Sequence, residues 1–334
     1  MLERIKEYMQ GETFRAELEI PESAEIEISL LAQGEYNMNY IFEHPVSKKK
    51  LLLRLNTGSQ MHLERQIEYE YQALKQIECS GRVPKAMYVD GAKEKLPYGV
   101  MVMEYLPGHA MDYETEIKHG AEILADIHAM PIDPAGSLLH SKNPCKEILE
   151  ECEQMFRVYE ESDLADAKKK AQIRKLLNLA KEKISNAPEY KGYKCCINTE
   201  LNSTNFLINA NGPSYLIDWE KPLYGDPGQD LGHFLAPTTT FWKTDVILSE
   251  EETEHFLDDY ITYVDGRYDT MGLKERVKTF IPVTCMRGLT WCAMAWVEYQ
   301  APDRAIKNES TWIKLNAYLD QAFLDMVEKR IQNM

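Results

Sequence analysis

The chain has 334 residues, 44% of them hydrophobic, and a formal net charge of −16. This length provides enough apolar surface for a substantial core in one large or two modest domains. The negative charge repels phosphate backbones and anionic membranes, and no basic stripe with interleaved aromatic residues offsets it. The composition therefore disfavours nucleic acid as a partner, whereas a small cationic ligand would suit this field.

The N-terminal sequence MLERIKEYMQGETFRAELEIPES mixes charges into its apolar positions and predicts neither a signal peptide nor a membrane-spanning helix. The seven cysteines are scattered and lack the C-x-x-C spacing of a zinc or redox site. The adjacent Cys195 and Cys196 lie in an apolar segment, which favours packing over redox chemistry. We therefore expect reduced thiols, a cytoplasmic location and no membrane partner. The sequence carries no indication of an oligomeric state.

Strand patterns follow an N-terminal amphipathic helix and run from residue 26 to residue 106. Five segments have strand character: EIEISLLAQ, YNMNYIFEHP, KKKLLLRLNT, KAMYVDGA and YGVMVMEYL. A single helix interrupts them at MHLERQIEYEYQALKQIE, where five apolar residues recur at helical spacing, Leu63, Ile67, Tyr71, Leu74 and Ile77. The pattern predicts a five-stranded sheet with one helix.

Helical patterns dominate from residue 109 onward. A helix that ends near His128 is predicted by four apolar residues, Ile117, Ala121, Leu124 and Ile127. Further helices are predicted near 145–160, 165–186, 250–265, 273–299 and 308–332, and one pair of short strands, within 195–220, stands among them. Pro107 and Gly108 mark a break suited to a hinge. The sequence thus predicts an α+β protein with a β-rich lobe, a hinge and a larger helical lobe, at 1–103, 104–108 and 109–334.

Two acids and an amide near the isolated strands suggest phosphoryl transfer. That reaction requires a cation for the phosphates, ligands for a metal ion and a base for the hydroxyl proton. Glu200 and Asn205 have the spacing of base and metal-binding amide in the kinase loop H-R-D-x-x-x-x-N. Asp218 ends a later strand, where a hairpin can return it beside Asn205. Asn205 and Asp218 are oxygen ligands of the kind that Mg²⁺ shares with substrate phosphates.

This segment resembles the catalytic core of the aminoglycoside phosphotransferase and choline kinase family, small-molecule relatives of protein kinases. The family signature, roughly H-G-D-x-x-x-x-N, I-D-W-E and G-D-P-x-x-D-L, corresponds in order to NTELNSTN, IDWE and GDPGQDL. The first block departs from the signature, with Asn198 for histidine and Glu200 for aspartate. The resemblance implies a protein-kinase-like bilobal fold, Mg²⁺ held by Asn205 and Asp218, and Glu200 in the place of the catalytic base.

The resemblance extends to the nucleotide-binding parts of the N-terminal lobe. QGEYNMNY is similar to the family's G-G-x-x-N-x-x-Y nucleotide loop, which implies nucleotide contacts by Gly34 and Asn37. VMVMEYLPG resembles the hinge strand, whose backbone groups at Met103, Glu104 and Tyr105 would bond the purine of ATP or GTP.

Charged residues elsewhere have counterparts in the family. Arg54 stands where the family has Lys or Arg on its third strand, and Glu70 stands where its partner glutamate is expected, with Glu64 and Glu68 as nearby alternatives. Such a pair would hold the cation against the α- and β-phosphates. The resemblance also implies that His128 is structural and that Asp230 accepts hydrogen bonds from the catalytic-loop backbone.

The acceptor site has fewer sequence signals. Three aromatic residues of LTWCAMAWVEYQ lie on a predicted helix, Trp291, Trp296 and Tyr299. Choline kinases enclose a quaternary ammonium in a C-terminal aromatic cluster, although aromatic residues on a buried helix more often pack the core. Alternatively, acids such as Glu220 and Asp226 would receive an amine. We expect a small-molecule acceptor with a hydroxyl and a positive charge.

The substitution at Glu200 leaves two functions open. The first is an ATP- or GTP-dependent small-molecule kinase, favoured by Asn205 and Asp218, because a pure binding module needs no metal-binding pair. The second is a nucleotide-binding pseudokinase that acts through a partner, favoured by Glu200 and Asn198.

Overall fold

The computed structural model describes residues 1–187, 189–301 and 308–334, which form two lobes. The N-terminal lobe contains the predicted five-stranded sheet, of order β1-β2-β3-β5-β4, with antiparallel neighbours throughout. Its strands are β1 (Ile28–Gln33), β2 (Asn37–Glu43), β3 (Lys50–Asn56), β4 (Ala86–Asp90) and β5 (Gly99–Glu104). The predicted helix is α3 (Gln66–Ile77). The single N-terminal helix that we predicted is two helices, α1 (Leu2–Met9) and α2 (Glu12–Glu17), separated at Gly11 by extended backbone.

The two faces of this sheet have different partners. Leu51, Leu53 and Leu55 of β3 are buried in a core that α1 and α2 close. Because side chains alternate along a strand, the residues between them point to the other face. That face carries Leu52 and Arg54, and it adjoins α3 and the core of the second lobe. Strand periodicity therefore directs the Arg54 guanidinium into the cleft between the lobes.

The C-terminal lobe is mainly helical, as predicted. Its helices are α4 (Ile117–His128), α5 (Pro144–Glu161), α6 (Ala167–Ile184), α7 (Pro227–Leu235), α8 (Pro237–Lys243), α9 (Glu250–Val264), α10 (Leu273–Glu298), α11 (Glu309–Tyr318) and α12 (Gln321–Gln332). The helix predicted at 308–332 is broken, because Asp320 has extended backbone and begins α12 as its N-cap residue. The short helices α7 and α8 were not predicted. Each begins with a proline, whose fixed φ suits the first helical position.

The C-terminal lobe contains five short strands rather than one isolated pair. They are β6 (His109–Ala110), β7 (Cys195–Ile197), β8 (Phe206–Ile208), β9 (Tyr215–Leu216) and β10 (Leu223–Gly225). β7 pairs with β10, whereas β8 pairs with both β6 and β9. The prediction of a single pair was therefore incomplete, since it missed the partners that lie far away in sequence. The hairpin of β8 and β9 remains as expected.

Helix α10 lies at the centre of this lobe and packs against α5 and α7. Within the part of the chain that the structure describes, it is the one helix long and apolar enough to span a membrane, by length and composition only. However, 67% of its most apolar window is buried inside the protein, as in a core helix. Six of the seven cysteines are likewise buried, and all seven are free thiols.

Candidate active site

An ion pair between the sheet and α3 lies at the back of the cleft. The Arg54 guanidinium donates from Nη1 to Glu70 Oε2 at 2.9 Å and from Nε to Asn39 Oδ1 at 3.1 Å. Of the three glutamates weighed from sequence, Glu70 is thus the partner, whereas Glu68 pairs with Arg65. Burial lowers the pKa of Arg54, but the carboxylates of Glu70 and Asp218 outweigh it and raise that pKa. Arg54 is therefore a fixed cation in the cleft.

The buried Asp230 carboxylate holds the backbone of the catalytic loop, NTELNSTN. This buried carboxylate accepts hydrogen bonds from the backbone N–H of Asn198 and of Thr199, each at 2.7 Å. Thr199 has a left-handed φ of 69°, a conformation that β-branched residues rarely adopt. His128 is buried between Asp230 and the Tyr260 hydroxyl. Asp230 and His128 thus have the structural contacts that the resemblance implied.

The predicted metal ligands are brought together by the β8–β9 hairpin. The Ile217 N–H donates to Asn205 O at 2.8 Å, which places Asp218 next to Asn205. The Asn205 amide donates from Nδ2 to Glu200 O at 3.0 Å, so its oxygen remains available. The Asp218 side chain is 39% exposed, and one carboxylate oxygen lies 3.5 Å from Arg54 Nη2. Two hard oxygen donors facing a cleft fit Mg²⁺ that shares its remaining ligands with phosphates.

Asn198, in place of the family histidine, connects the two halves of this site. Its amide donates from Nδ2 to Asp218 O at 2.8 Å, and its Oδ1 accepts from the Glu200 N–H at 3.1 Å. The substitution therefore preserves a link between the catalytic loop and the hairpin. The acceptor of this amide, Asp218 O, lies 20 residues along the chain, at a residue with left-handed backbone, φ 66°.

Glu200 lies between two cations. Its Oε1 is 3.4 Å from Lys221 Nζ and 3.9 Å from Arg287 Nη2. Burial and the neighbouring Arg287 lower the pKa of Lys221. Neither cation was singled out from the sequence, since Lys221 follows the IDWE block and Arg287 lies on α10, far along the chain.

A cavity of about 250 Å³ under the sheet is the candidate nucleotide site. Its lining includes five of the predicted residues, Arg54, Glu70, Met103, Glu104 and Tyr105, together with Asp218. The N–H groups of Glu104 and Tyr105 already bond to Lys85 O and Lys50 O. The Leu106 N–H, also at this cavity, has no hydrogen-bond partner among the described residues. A free hinge donor therefore lies one residue beyond the predicted segment.

The nucleotide loop lies beside the cavity under the sheet, and the nucleotide contacts that its resemblance implied stay a prediction. Gly34 and Asn37 are not among the residues that line the nucleotide cavity. The Asn37 amide is buried and hydrogen-bonds to the Glu220 carboxylate and to Asn56. Gln66 also donates to Glu220 O, at 2.7 Å. Burial, with Asp218 nearby, raises the pKa of Glu220 to about 7. Asn37 and Gln66 thus join the lobes through Glu220, a contact that the sequence did not reveal.

A second cavity, of about 320 Å³, opens beside Glu200, Asn205 and Asp218 and extends toward α8 and α10. Of the three aromatic residues predicted for the acceptor site, only Trp291 lines it, and the unpredicted Trp242 packs edge-on against Trp291 at 5.2 Å. Trp296 and Tyr299 stack on Trp312 instead, which is the core-packing alternative.

The acids proposed as alternative amine receptors are already engaged. Asp226 is buried and accepts from Arg276 Nε at 2.7 Å and from the Gly228 N–H at 2.9 Å. Glu220 faces Asn37 rather than the acceptor cavity. Neither residue is therefore free to bind an acceptor.

His233 lies between the acceptor cavity and a smaller one of about 180 Å³. Burial and the nearby Arg287 lower the pKa of His233 to about 3. The unfolded chain therefore binds a proton below pH of about 6.5 that the folded chain does not bind, so stability falls as the pH decreases through that value. Between pH 7 and pH 5 we expect His233 to cost up to about 2 kcal/mol.

The variant His233→Gln should show a smaller loss of unfolding free energy over this pH range, because glutamine does not titrate. Urea denaturation of both proteins at pH 7, 6 and 5 measures the difference. Identical pH dependence in the two proteins would contradict the assignment.

Comparisons with known proteins agree with this geometry. The structure is similar to that of choline kinase from Cryptosporidium parvum Iowa II, with a TM-score of 0.68, 13% identity and coverage of 100% of this chain and 97% of that one. It is also similar to spectinomycin phosphotransferase APH(9)-Ia in complex with ADP and spectinomycin, with a TM-score of 0.62, 13% identity and coverage of 99% of this chain and 98% of that one. For choline kinase LicA from Streptococcus pneumoniae, the TM-score is 0.60 and the identity 18%, with coverage of 100% of this chain and 99% of that one. No curated protein matches the sequence.

The bilobal fold, with the NTELNSTN loop and the β8–β9 hairpin facing the cleft, is that of a small-molecule kinase. The profile of the phosphotransferase enzyme family (APH) matches residues 27–272, about three quarters of the chain, and the chain therefore belongs to that family. The resemblance inferred from NTELNSTN, IDWE and GDPGQDL is confirmed.

Proposed function

We propose that this kinase transfers the γ-phosphoryl group of ATP or GTP to a hydroxyl of a small, positively charged molecule. The observation that carries the proposal is the position of Asp218. This carboxylate lines both the nucleotide cavity and the acceptor cavity, and it is the one described residue that the two have in common. A metal-binding group at that junction is suited to phosphoryl transfer from one cavity to the other.

The residues of the cleft have distinct proposed roles. The purine lies in the cavity near the Leu106 N–H, and Arg54, fixed by Glu70, binds the phosphates. Asn205 and Asp218 hold Mg²⁺, which neutralises charge on the β- and γ-phosphates when bound.

Glu200 is the proposed base. The acceptor oxygen forms the new bond to phosphorus as the bond to the bridging oxygen breaks. The hydroxyl proton passes to the Glu200 carboxylate, and the nucleoside diphosphate leaves.

A screen of the purified protein with Mg·ATP and Mg·GTP tests the transfer. The panel should contain choline, ethanolamine and spectinomycin, with sugars and nucleosides as neutral compounds, and mass spectrometry should identify phosphorylated products. We expect a product from a cationic hydroxyl compound. The absence of any product, together with nucleotide binding that does not depend on Mg²⁺, would contradict the proposal. A cytoplasmic location and the absence of nucleic-acid and membrane partners stay predictions.

The positive charge of the acceptor is proposed from the walls of its cavity. The Trp242 and Trp291 rings form one wall, and Glu35 lies in the lining. An ammonium over an aromatic face gains about 0.5 to 2 kcal/mol. The formal charge of −16 would also attract a cation.

The variant Trp291→Leu should therefore raise KM for a cationic acceptor by about 2- to 30-fold, the range that corresponds to that energy. Trp312→Leu is the matched control, because Trp312 stacks with Trp296 outside the cavity. Choline and its uncharged isostere 3,3-dimethylbutan-1-ol provide a second comparison. Equal kcat/KM for these two alcohols would contradict a cation-binding wall.

A further inference from the structure

Two cations contact the Glu200 carboxylate where the acceptor cavity adjoins a smaller cavity behind it. Glu200 lines the acceptor cavity, whereas Lys221 lines only the smaller cavity behind it, and Arg287 lines both. Lys221 is tied to the catalytic loop, because the Thr199 hydroxyl donates to Lys221 O at 2.8 Å. The Lys221 ammonium therefore contacts Glu200 from the smaller cavity, and the side of the Glu200 carboxylate that lines the acceptor cavity stays open to a substrate.

Arg287 is fixed independently of Glu200. Its guanidinium donates to Glu151 on α5 from Nε at 3.0 Å and from Nη2 at 3.4 Å. The Lys221 and Arg287 side chains are only 17% and 21% exposed. Burying two cations costs free energy that close carboxylates must offset. Glu151 and Glu200 provide two carboxylates, so the four residues form a charge-balanced cluster.

We propose that Lys221 and Arg287 are positioning residues that hold the Glu200 carboxylate at the acceptor cavity, an inference that rests on the proposed phosphoryl transfer. The two cations contact the end of a glutamate side chain. An aspartate in the same backbone would withdraw the carboxylate by about 1.5 Å, which would break contacts of 3.4 and 3.9 Å. This site is therefore built around the longer acid. A misplacement of about 1 Å can cost roughly a hundredfold in rate.

The test is a double-mutant cycle in steady-state kinetics. The acceptor is the compound of the choline, ethanolamine and spectinomycin panel with the highest turnover. If none is phosphorylated, water is the acceptor and phosphate release from Mg·ATP is measured. The variants are Lys221→Met, Lys221→Arg, Arg287→Gln, Glu200→Asp, Glu200→Gln and the double variant of Lys221→Met with Glu200→Gln. Arg276→Gln is the matched control for Arg287→Gln, since Arg276 pairs with Asp226 and its side chain is 22% exposed.

We expect Lys221→Met, Arg287→Gln and Glu200→Asp each to lower kcat by about 10- to 100-fold, with KM for ATP changed less than about twofold. Lys221→Arg should recover most of the rate, and Arg276→Gln should leave it close to wild type. In the Glu200→Gln background, Lys221→Met should have little further effect, because the group that it positions is already lost. In crystals of Lys221→Met, the Glu200 carboxylate should leave its present position.

Other outcomes would overturn the inference. If Lys221→Met lowers kcat equally with and without Glu200→Gln, the lysine acts independently of the base. A selective rise in KM for ATP would mean that Lys221 binds phosphate. Unchanged kcat in Lys221→Met and Arg287→Gln, in an enzyme that Glu200→Gln inactivates, would refute positioning while leaving the proposed function intact. A wild type inactive with every acceptor, including water, and without Mg²⁺-dependent nucleotide binding would refute both.

Discussion

Asp218→Ala should abolish Mg²⁺-dependent nucleotide binding and lower phosphoryl transfer by a factor on the order of 10³ or more. A metal ion that stabilises a transferring phosphoryl group contributes several kcal/mol, and about 1.4 kcal/mol corresponds to a tenfold change in rate. Asp218 is the carboxylate at the junction of the two cavities, and its partner ligand Asn205 is uncharged. Without Asp218, the predicted metal ligands are reduced to the uncharged Asn205 amide oxygen.

Titration calorimetry with ATP and with GTP, in the presence of Mg²⁺ and of a chelator, separates binding from catalysis. The wild type should bind nucleotide more tightly with Mg²⁺, and Asp218→Ala should bind it equally in both conditions. Asp245→Ala is a suitable control, because Asp245 pairs with Lys314 and lines neither cavity. Retention of the Mg²⁺ effect in Asp218→Ala would contradict the metal assignment. Among the described residues, no cluster of three or more His, Cys, Asp and Glu offers another site.

Glu200→Gln should lower kcat by about 10² to 10⁴, the usual contribution of general-base catalysis. Glutamine keeps the size of the side chain and its contact with solvent but cannot accept the hydroxyl proton. The hydrogen bonds that hold the loop involve backbone groups of Asn198, Thr199 and Glu200, so the substitution should leave the loop intact. Nucleotide affinity should therefore stay within about twofold of wild type.

Single-turnover kinetics and nucleotide calorimetry on the same preparation measure the two quantities. Unchanged turnover in Glu200→Gln would show that the carboxylate has no catalytic role. A wild type without transfer, alongside an active Glu200→Asp variant, would instead support the pseudokinase hypothesis. The geometry favours a working base, because the Glu200 carboxylate faces the acceptor cavity and the Asn205 amide donates to its backbone oxygen.

Local sequence patterns were sufficient for the elements of the fold. Alternating residues predicted all five strands of the N-terminal sheet, and helical spacing predicted α3 and α4. The domain boundaries at 104 and 108 stay a prediction, although β5 ends at Glu104. The spacing of hydrophobic residues and the residues that form turns depend on only a few neighbouring positions, so both can be recognised in the sequence. The family resemblance likewise predicted the Arg54 to Glu70 pair, which the structure contains. The spacing of the motifs predicted Asn205 and Asp218 as metal ligands, and that role stays a prediction.

Contacts between distant segments were decided only by the tertiary structure. Arg287 meets Glu200 from α10, and Lys221 meets it from the segment after IDWE, and no local pattern records either contact. The predicted aromatic cluster divides for a similar reason. Trp291 and Trp296 are five residues apart on α10, and five residues of an α-helix amount to about 500°, so the two side chains point in different directions. Trp242 instead reaches the cavity from α8. The sequence determined which catalytic and binding groups are available. Packing between elements that are distant in sequence determined which side chains surround Glu200 and the acceptor cavity.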